Sequence, residues 1–268
     1  MEEAYGRLEL ESTDHWGNVK PAEKRTIFCE RNFNVQRHRS NYYTSKCSQP
    51  PFPLMVTLSF DNGPEPSVTP GVLDLLAKHN VKSSFFVMGR KVSTPKGLPL
   101  AKRASAEGHW VGNHTYTHTR PLGELTRAEA LHEFDQAEES LAWLDQPERL
   151  FRPYGRQGKL GQHLIHPAVV EQLVARQYTT VLWNCVPGDW RDPDGWVETA
   201  LQQCASRPWS LVVLHDQPNG ALKQLDRFLT TLKESNIPIV QEFPDDCVPI
   251  RRGRVVQPME PWTSSHAD

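Results

Sequence analysis

The chain has 268 residues and carries 30 lysine and arginine side chains against 32 aspartate and glutamate side chains, a formal charge of −2. Proteins that hold nucleic acid through its phosphates need an excess of positive charge, so we expect no nucleic-acid partner. The sequence also lacks an apolar run of the ~20 residues that a membrane-spanning helix requires, so we expect no membrane insertion.

The cysteines favour a reduced protein. There are five of them, an odd number, and none forms a Cys-x-x-Cys pair, whereas small secreted proteins pair their cysteines in disulfides. The chain opens on Met1, Glu2 and Glu3 and shows no apolar stretch typical of a signal peptide. We therefore expect a cytoplasmic protein.

The first 53 residues differ from the rest of the chain. They are rich in charged residues, hold few apolar residues at a steady period, and end in the proline-rich stretch 49–53. Residues 1–53 are therefore predicted to form an irregular N-terminal extension.

Strands and helices alternate after this extension. Residues 54–60 form a β-branched and aromatic run, which predicts a first strand, and the turn residues 62–64 stop it. Thr69 is predicted to be the N-cap of the next helix, with Pro70 at its first helical position.

The longest predicted helix covers residues 127–144. It begins after Thr126, which has the spacing of a capping box with Glu129, three residues later. The other predicted elements are strands 84–88, 110–111, 150–151, 179–183, 211–214 and 238–240, and helices 99–107, 167–176, 193–205 and 222–235.

Strand and helix thus alternate about seven times. This pattern predicts one α/β domain over residues 54–250, with a parallel sheet that is open or closed into a barrel. Residues 251–268 open on a small basic cluster, and we predict a solvated C-terminal tail there.

Five polar clusters stand just after predicted strands. Because parallel α/β folds gather functional side chains at the carboxyl ends of their strands, these clusters are predicted to share one rim. One of them holds His114 and His118, whose spacing of four residues lets both imidazoles face one metal ion. The clusters are residues 59–64, 113–118, 151–155, 187–190 and 214–216. Carboxylates, an arginine and a third histidine on the same rim favour a catalytic site over a structural histidine pair.

In order and in type, these residues resemble the polysaccharide deacetylases of the NodB homology domain, carbohydrate esterase family 4. The family motif T-F-D-D-G-P is similar to residues 59–64, S-F-D-N-G-P, and H-[ST]-x-x-H is matched in full by residues 114–118. The motif R-x-P-[YF]-G is met at 152–155 with one residue missing, and the strand that ends in His-Asp is met at 211–216. Of D-x-x-D-W, only the second half is kept, at 189–190.

The resemblance implies a distorted (β/α) barrel of about seven strands, and a hydrolase that removes acetyl groups from N-acetylated sugars by metal-assisted attack of water. It implies that Asp61 is the general base, with Arg152 as its charge partner. His215 would be the general acid, its pKa raised by Asp189. The backbone N–H of Tyr154 would help to stabilise the oxyanion.

The resemblance also implies a divalent metal ion, zinc first, bound by His114 and His118. The third ligand of the family is the second aspartate of the first motif, and that position is Asn62 here. Asparagine brings an oxygen but no charge, so we expect metal affinity to be lower by at least ~10-fold. Trp190 and Leu214 would line a small apolar pocket for the acetyl methyl group.

Three functions stay open because of the asparagine. The first is an active metal-dependent deacetylase of an N-acetylated saccharide, since the other catalytic positions are intact. The second is a metal-free amidohydrolase acting on a small amide, a ureide or cyclic imide, which the expected cytoplasmic location favours. The third is a non-catalytic carbohydrate-binding module. The retention of Asp61, Arg152 and His215 disfavours it, because a binder needs neither acid nor base.

Overall fold

In a computed structural model of the protein, residues 52–265 are described, so the predicted extension 1–53 lies almost entirely outside the described residues. The strands in this range are β1 (Met55–Asp61), β2 (Ser84–Val87), β3 (Trp110–Asn113), β4 (Arg149–Phe151), β5 (Tyr178–Thr180), β6 (Trp209–His215), β7 (Ile239–Val240), β8 (Ile250–Arg251) and β9 (Arg254–Val255). The α-helices are α1 (Thr69–Lys78), α2 (Gly89–Val92), α3 (Gly97–Ala106), α4 (Arg127–Ser140), α5 (Pro167–Ala175), α6 (Trp196–Cys204) and α7 (Leu222–Glu234).

The strands form one sheet in the order β6-β1-β2-β3-β4-β5-β8-β9, and β7 also pairs with β1. Strands β1 to β7 pair in parallel, while β8 and β9 join antiparallel at the far edge. Parallel neighbours need a crossover connection, and most of the helices lie in these crossovers. The predicted α/β fold with about seven parallel strands is therefore confirmed.

Strands β1 and β6 are the longest of the sheet and lie side by side. They pair along their whole length, from Met55 opposite Trp209 to Asp61 opposite His215. The last residues of both strands thus stand next to each other at the carboxyl edge of the sheet.

The sheet curls towards a closed barrel through a segment that follows β5. The N–H of Cys185 donates a hydrogen bond to the backbone oxygen of Leu211 in β6 (3.2 Å), and the oxygen of Cys185 accepts one from Val213 (2.9 Å). This segment spans the distance between β5 and β6, which are not neighbours in the strand order. The result is the distorted barrel that the family resemblance implied.

The core lies between the sheet and the helices that cover it. Six of the seven residues of β1 are buried, as expected of a parallel strand covered on both faces. Helix α7 buries the side chains at a spacing of three and four residues, Leu225, Phe228, Leu229 and Leu232. Within residues 52–265, no helix is both long enough and apolar enough to cross a bilayer.

The two predicted helix starts have different outcomes. The capping box of Thr126 and Glu129 is confirmed, and the helix behind it ends at Ser140 rather than at residue 144. The N-cap predicted at Thr69 is wrong, because Val68 has that position and Thr69 is the first helical residue. The Thr69 hydroxyl instead forms hydrogen bonds with the N–H of Glu65 and the carboxylate of Asp216.

The structure differs from the predicted tail, 251–268. Strands β8 and β9 extend the sheet there, and the Trp262 side chain is only 4% exposed. Ile165 donates its N–H to the backbone oxygen of Trp262 (3.0 Å), and Ser264 donates to the oxygen of Ile165 (3.0 Å). The segment up to Ser264 therefore packs on the domain. Backbone hydrogen bonds and the buried indole of Trp262 hold it there, and its polar composition did not indicate either contact.

Candidate active site

A cavity of about 220 Å³ opens at the carboxyl ends of the parallel strands. Seven of the ten side chains that the sequence predicted for the site line it, namely Asp61, Asn62, His114, His118, Tyr154, Trp190 and His215. The other three, Arg152, Asp189 and Leu214, are fully buried behind this lining. The motifs that are far apart in the sequence thus meet at one edge of the sheet.

Arg152, just after β4, fixes the carboxylate of Asp61. Its Nη1 donates to Asp61 Oδ1 (2.8 Å) and to Ser59 Oγ (2.7 Å). Its Nε and Nη2 donate to the backbone oxygens of Val181 and Leu182, each at 3.2 Å. A buried guanidinium is tolerated only when it is paired and hydrogen-bonded, and these four bonds meet that condition. The bond to Oδ1 orients the carboxylate of Asp61, whose Oδ2 lies 3.6 Å from His114 Nε2.

Asp189 fixes His215 through two hydrogen bonds. Its Oδ2 accepts from the backbone N–H of His215, and its Oδ1 lies 2.8 Å from the ring Nδ1. Burial lowers the pKa of His215, but the charge and hydrogen bond of Asp189, with the charges of Asp61 and Asp216, outweigh burial and raise that pKa above its usual value. The site therefore favours an imidazolium, the form that can donate a proton.

The two histidines of the second motif are neutral. The Nδ1 of His114 lies 2.8 Å from the backbone oxygen of Arg152, which can only accept, so Nδ1 carries the proton and Nε2 keeps its lone pair. Burial lowers the pKa of His114. Burial, and repulsion from the protonated forms of His114 and His215, lower the pKa of His118 to about 2. The two ring centroids are 4.7 Å apart. Neutral imidazoles at this separation are suited to one metal ion.

Asn62 decides whether a metal ion fits the site. Its Oδ1 is buried and finds no hydrogen-bond donor among residues 52–265, and Asn62 is one of the residues that line the same cavity as both histidines. A buried acceptor without a donor is costly unless another group occupies it. Two imidazoles and this oxygen therefore fit a divalent metal. They do so without a carboxylate, and the described part of the chain contains no group of three or more His, Cys, Asp and Glu side chains suited to a metal.

Asp216 supports the loop that carries Asn62. Its carboxylate is fully buried, and its Oδ2 accepts a hydrogen bond from Thr69 Oγ1 (2.6 Å). The same hydroxyl accepts from the N–H of Glu65 (2.7 Å). Burial raises the pKa of Asp216 to about 7, although the bond from Thr69 opposes that rise.

The apolar wall of the cavity departs from the prediction at one position. Val213 lines the cavity, whereas Leu214 packs in the core between sheet and helices. Side chains alternate between the two faces of a strand, so Val213 shares the face of His215 and Leu214 does not. The pocket role predicted for Leu214 is therefore contradicted, while Trp190 lies in the lining with its ring edge-on to His215 at 4.6 Å between centroids.

Other side chains complete the lining without belonging to a matched motif. Trp183 donates from Nε1 to the backbone oxygen of Gly158 (2.8 Å), and its ring fills the space beside Gly155. Val186 stands at the first position of the motif D-x-x-D-W, so an apolar side chain faces the cavity where the family has a carboxylate. Gln157 and Gln217 also reach the cavity. Sequence signals for these positions were indirect: Trp183 ends a predicted strand, Val186 stands in an incomplete motif, and Gln157 follows a matched motif by two residues.

The sequence comparisons agree with this geometry. The sequence model of polysaccharide deacetylases matches residues 49–164. A chitooligosaccharide deacetylase of Bradyrhizobium sp. (strain ANU 289) is 36% identical over 169 residues, which cover 60% of this chain and 70% of that protein. This chain belongs to the polysaccharide deacetylase family. A peptidoglycan-N-acetylglucosamine deacetylase of Listeria monocytogenes is 32% identical over 190 residues, 69% of this chain. The chain spans only 37% of the length of that relative.

Solved structures of the family have the same fold. A peptidoglycan N-acetylglucosamine deacetylase superposes with a TM-score of 0.61 at 27% identity, over 75% of this chain and 90% of that one. A CE4 family pseudoenzyme from Bacillus anthracis superposes with a TM-score of 0.59 at 26% identity, over 71% of this chain and 64% of that one. A mutant of that pseudoenzyme has restored enzymatic activity. The family therefore includes both active and inactive members with this architecture.

Proposed function

We propose that this chain is a metal-dependent deacetylase that hydrolyses the acetamide of N-acetylglucosamine units in a glycan. The observation that carries the proposal is the pair of fixed groups facing one cavity, Asp61 paired with Arg152 and His215 paired with Asp189. A binding protein needs no such acid and base. The named activities of the relatives, on peptidoglycan and chitooligosaccharides, support this substrate class.

A divalent metal held by His114, His118 and the Oδ1 of Asn62 would polarise the acetyl carbonyl and acidify the attacking water. Zinc is the metal we propose, because imidazole nitrogens suit it and it keeps an open position in catalytic sites with three protein ligands.

The residues of the chain account for the protons of the reaction. Asp61 takes a proton from the attacking water, whose oxygen bonds to the acetyl carbon. The backbone N–H of Tyr154 has no acceptor among the described residues, and Tyr154 lines the cavity, so this N–H is the donor that we propose for the oxyanion. His215 gives its proton to the amine nitrogen as the C–N bond breaks. The products are acetate and a free amino sugar.

The size of the cavity supports an acetamido group as the part of the substrate that enters. Its volume of about 220 Å³ is below the ~300–1,000 Å³ of pockets that enclose a drug-sized ligand. Trp190, Val186 and Val213 give it an apolar wall for a methyl group. The rest of the glycan would then lie outside, on the open rim.

Asn62 favours a second candidate, a carbohydrate-binding module without catalysis. The position of a family ligand lacks its charge here, and a pseudoenzyme is among the similar structures. The two candidates share the substrate and differ in turnover alone.

One assay separates them. Protein purified without chelators or a metal-affinity tag would be analysed for metal, supplied with Zn²⁺ or Co²⁺, and tested for acetate release from N-acetylglucosamine oligomers. We expect turnover that Asp61→Asn and His215→Ala each reduce by about 10²-fold or more. Asp194→Asn, at an exposed residue paired with Lys223, is the matched control. Oligomer binding without acetate release from the metal-loaded parent would establish the binding module instead.

A further inference from the structure

The backbone between His114 and His118 follows an unusual path. Thr115 and His118 both adopt the left-handed conformation, with φ of 64° and 57°. Residues other than glycine adopt this conformation only when their surroundings impose it. Contacts with other parts of the protein must therefore stabilise the backbone of the loop formed by residues 114–118.

Glu133 of α4 supplies three of these contacts with one carboxylate. Its Oε2 accepts from the backbone N–H groups of Tyr116 (3.1 Å) and Thr117 (2.8 Å). Its Oε1 accepts from the hydroxyl of Thr117 (2.6 Å). Hydrogen bonds to an ionised acceptor are stronger than those between neutral groups, so Glu133 fixes the middle of the loop.

Hydrogen bonds from α2 hold the carbonyl groups of the same segment. The N–H groups of Gly89 and Arg90, at the start of α2, donate to the oxygens of Thr115 (3.0 Å) and Tyr116 (3.1 Å). These bonds fix the carbonyl groups of Thr115 and Tyr116, while Glu133 fixes the N–H groups of Tyr116 and Thr117. The N–H of Thr115 donates separately to Asn113 Oδ1 (2.8 Å). Without the carboxylate of Glu133, the N–H groups of Tyr116 and Thr117 would lose their acceptor.

The metal-ligating side chains depend on this backbone. His114 and His118 begin and end the segment that Glu133 holds, both residues line the same cavity, and their ring centroids are 4.7 Å apart. Glu133 itself is absent from the cavity lining. Any effect of Glu133 on a bound ion therefore acts through the loop.

We propose that Glu133 is a positioning residue for the histidine pair, which sets the affinity of the site for a divalent metal by fixing the backbone between the two ligands. This inference rests on the metal-dependent function proposed above. Because Asn62 brings no charge, the two imidazoles carry most of the binding, and their mutual geometry matters more than in a site with a carboxylate ligand.

The test compares the affinities of the apoproteins for Zn²⁺ and Co²⁺, measured by competition with a chromogenic chelator, with the Co²⁺ absorption spectrum as a second readout. Glu133→Ala and the milder Glu133→Gln are expected to raise the Kd by about 10–100-fold and to alter the Co²⁺ bands. The Michaelis constant for the oligomer should stay unchanged, since Glu133 does not line the cavity. Glu139→Ala, on the same helix and exposed, is the matched control.

Thermal unfolding of the apoproteins separates positioning from general stability. We expect the metal-induced rise in Tm to shrink in both Glu133 variants and to stay at the parent value in Glu139→Ala. A folded Glu133→Gln protein with the parent's Kd and Co²⁺ spectrum would overturn the inference while leaving the proposed function intact. A parent protein that binds neither ion would overturn both.

Discussion

The carboxylate of Asp216 occupies the space beside Gly63 in which any other residue would place its Cβ, since a Cβ built there would overlap both carboxylate oxygens. The residue after the proposed general acid thus packs directly against the residue after Asn62. The end of β6 and the loop after β1 are thereby coupled, and only glycine allows this approach.

This packing makes stability depend on pH through Asp216. Its pKa is raised from 3.8 to about 7 by burial, so the folded state keeps a proton that the unfolded state releases above pH 4. Stability from this group is complete below pH 4 and is lost as pH rises towards 7. We expect its contribution to the free energy of unfolding to fall by roughly 2–3 kcal/mol between pH 5 and pH 8.

Urea denaturation of the parent and of Asp216→Asn across this range would measure the effect. The amide can still accept the hydrogen bond from Thr69 but does not ionise, so the stability of the variant relative to the parent should increase with pH. A constant difference between the two proteins from pH 5 to pH 8 would contradict the pKa assigned to Asp216.

Asp189 is expected to set the alkaline limb of the pH–rate profile, because it raises the pKa of His215. Asp189→Asn removes the charge that raises the pKa of His215, so the imidazolium is lost at lower pH. We expect kcat/KM to fall by about 10²-fold and its alkaline limb to move to lower pH. Steady-state rates of acetate release between pH 5 and pH 9 would show this. An unchanged profile, matching that of Asp194→Asn, would mean that Asp189 has no role in proton transfer.

Asn62 is expected to limit metal affinity. Asn62→Asp restores a charged ligand next to the two histidines, so the Kd for Zn²⁺ should fall by at least about 10-fold, while Asn62→Ala should raise it. Calorimetric titration of the apoproteins would give both values. If all three proteins bind Zn²⁺ equally, residue 62 is not a ligand of the metal.

The neighbours Val213 and Leu214 are expected to affect different properties. Leu214→Ala removes a fully buried core side chain and should lower the free energy of unfolding by about 2–5 kcal/mol, with little change in the KM of the folded enzyme. Val213→Ala should raise the KM, because it widens the proposed methyl pocket. Parallel denaturation and kinetic measurements would distinguish the two, and the reverse pattern would place Leu214 in the pocket after all.

Much of the fold was predictable because the sequence patterns that mark its strands, turns and helix starts are local. Buried parallel strands read as short apolar runs, and turn residues such as Gly63 and Pro64 separate them from the helices. The capping box of Thr126 fixed the start of the longest helix for the same reason. The end of the chain was not predictable, because β8 and β9 are two-residue strands whose pairing depends on tertiary contacts.

The site was predictable where ordered motifs mark it. Asp61, Arg152 and His215 could be placed on one rim because each follows a strand. The supporting residues could not be found in this way. Glu133 lies 16 residues from Thr117 in the sequence. It contacts Thr117 only because α4 packs against the segment between His114 and His118. The pocket role was assigned to Leu214 instead of Val213 because the motif alone does not show which face of β6 borders the cavity.

The register between β1 and β6 determines both the packing of the core and the positions of Asp61 and His215. Asp61 stands opposite His215 because the two strands pair residue for residue. A slip of one residue would turn every side chain of β6 to the other face. It would put Leu214 into the cavity and His215 beneath the helices. The same alternation that packs the core thus spaces the acid and the base, so a chain with misaligned strands would lose its hydrophobic contacts and its proton donor together.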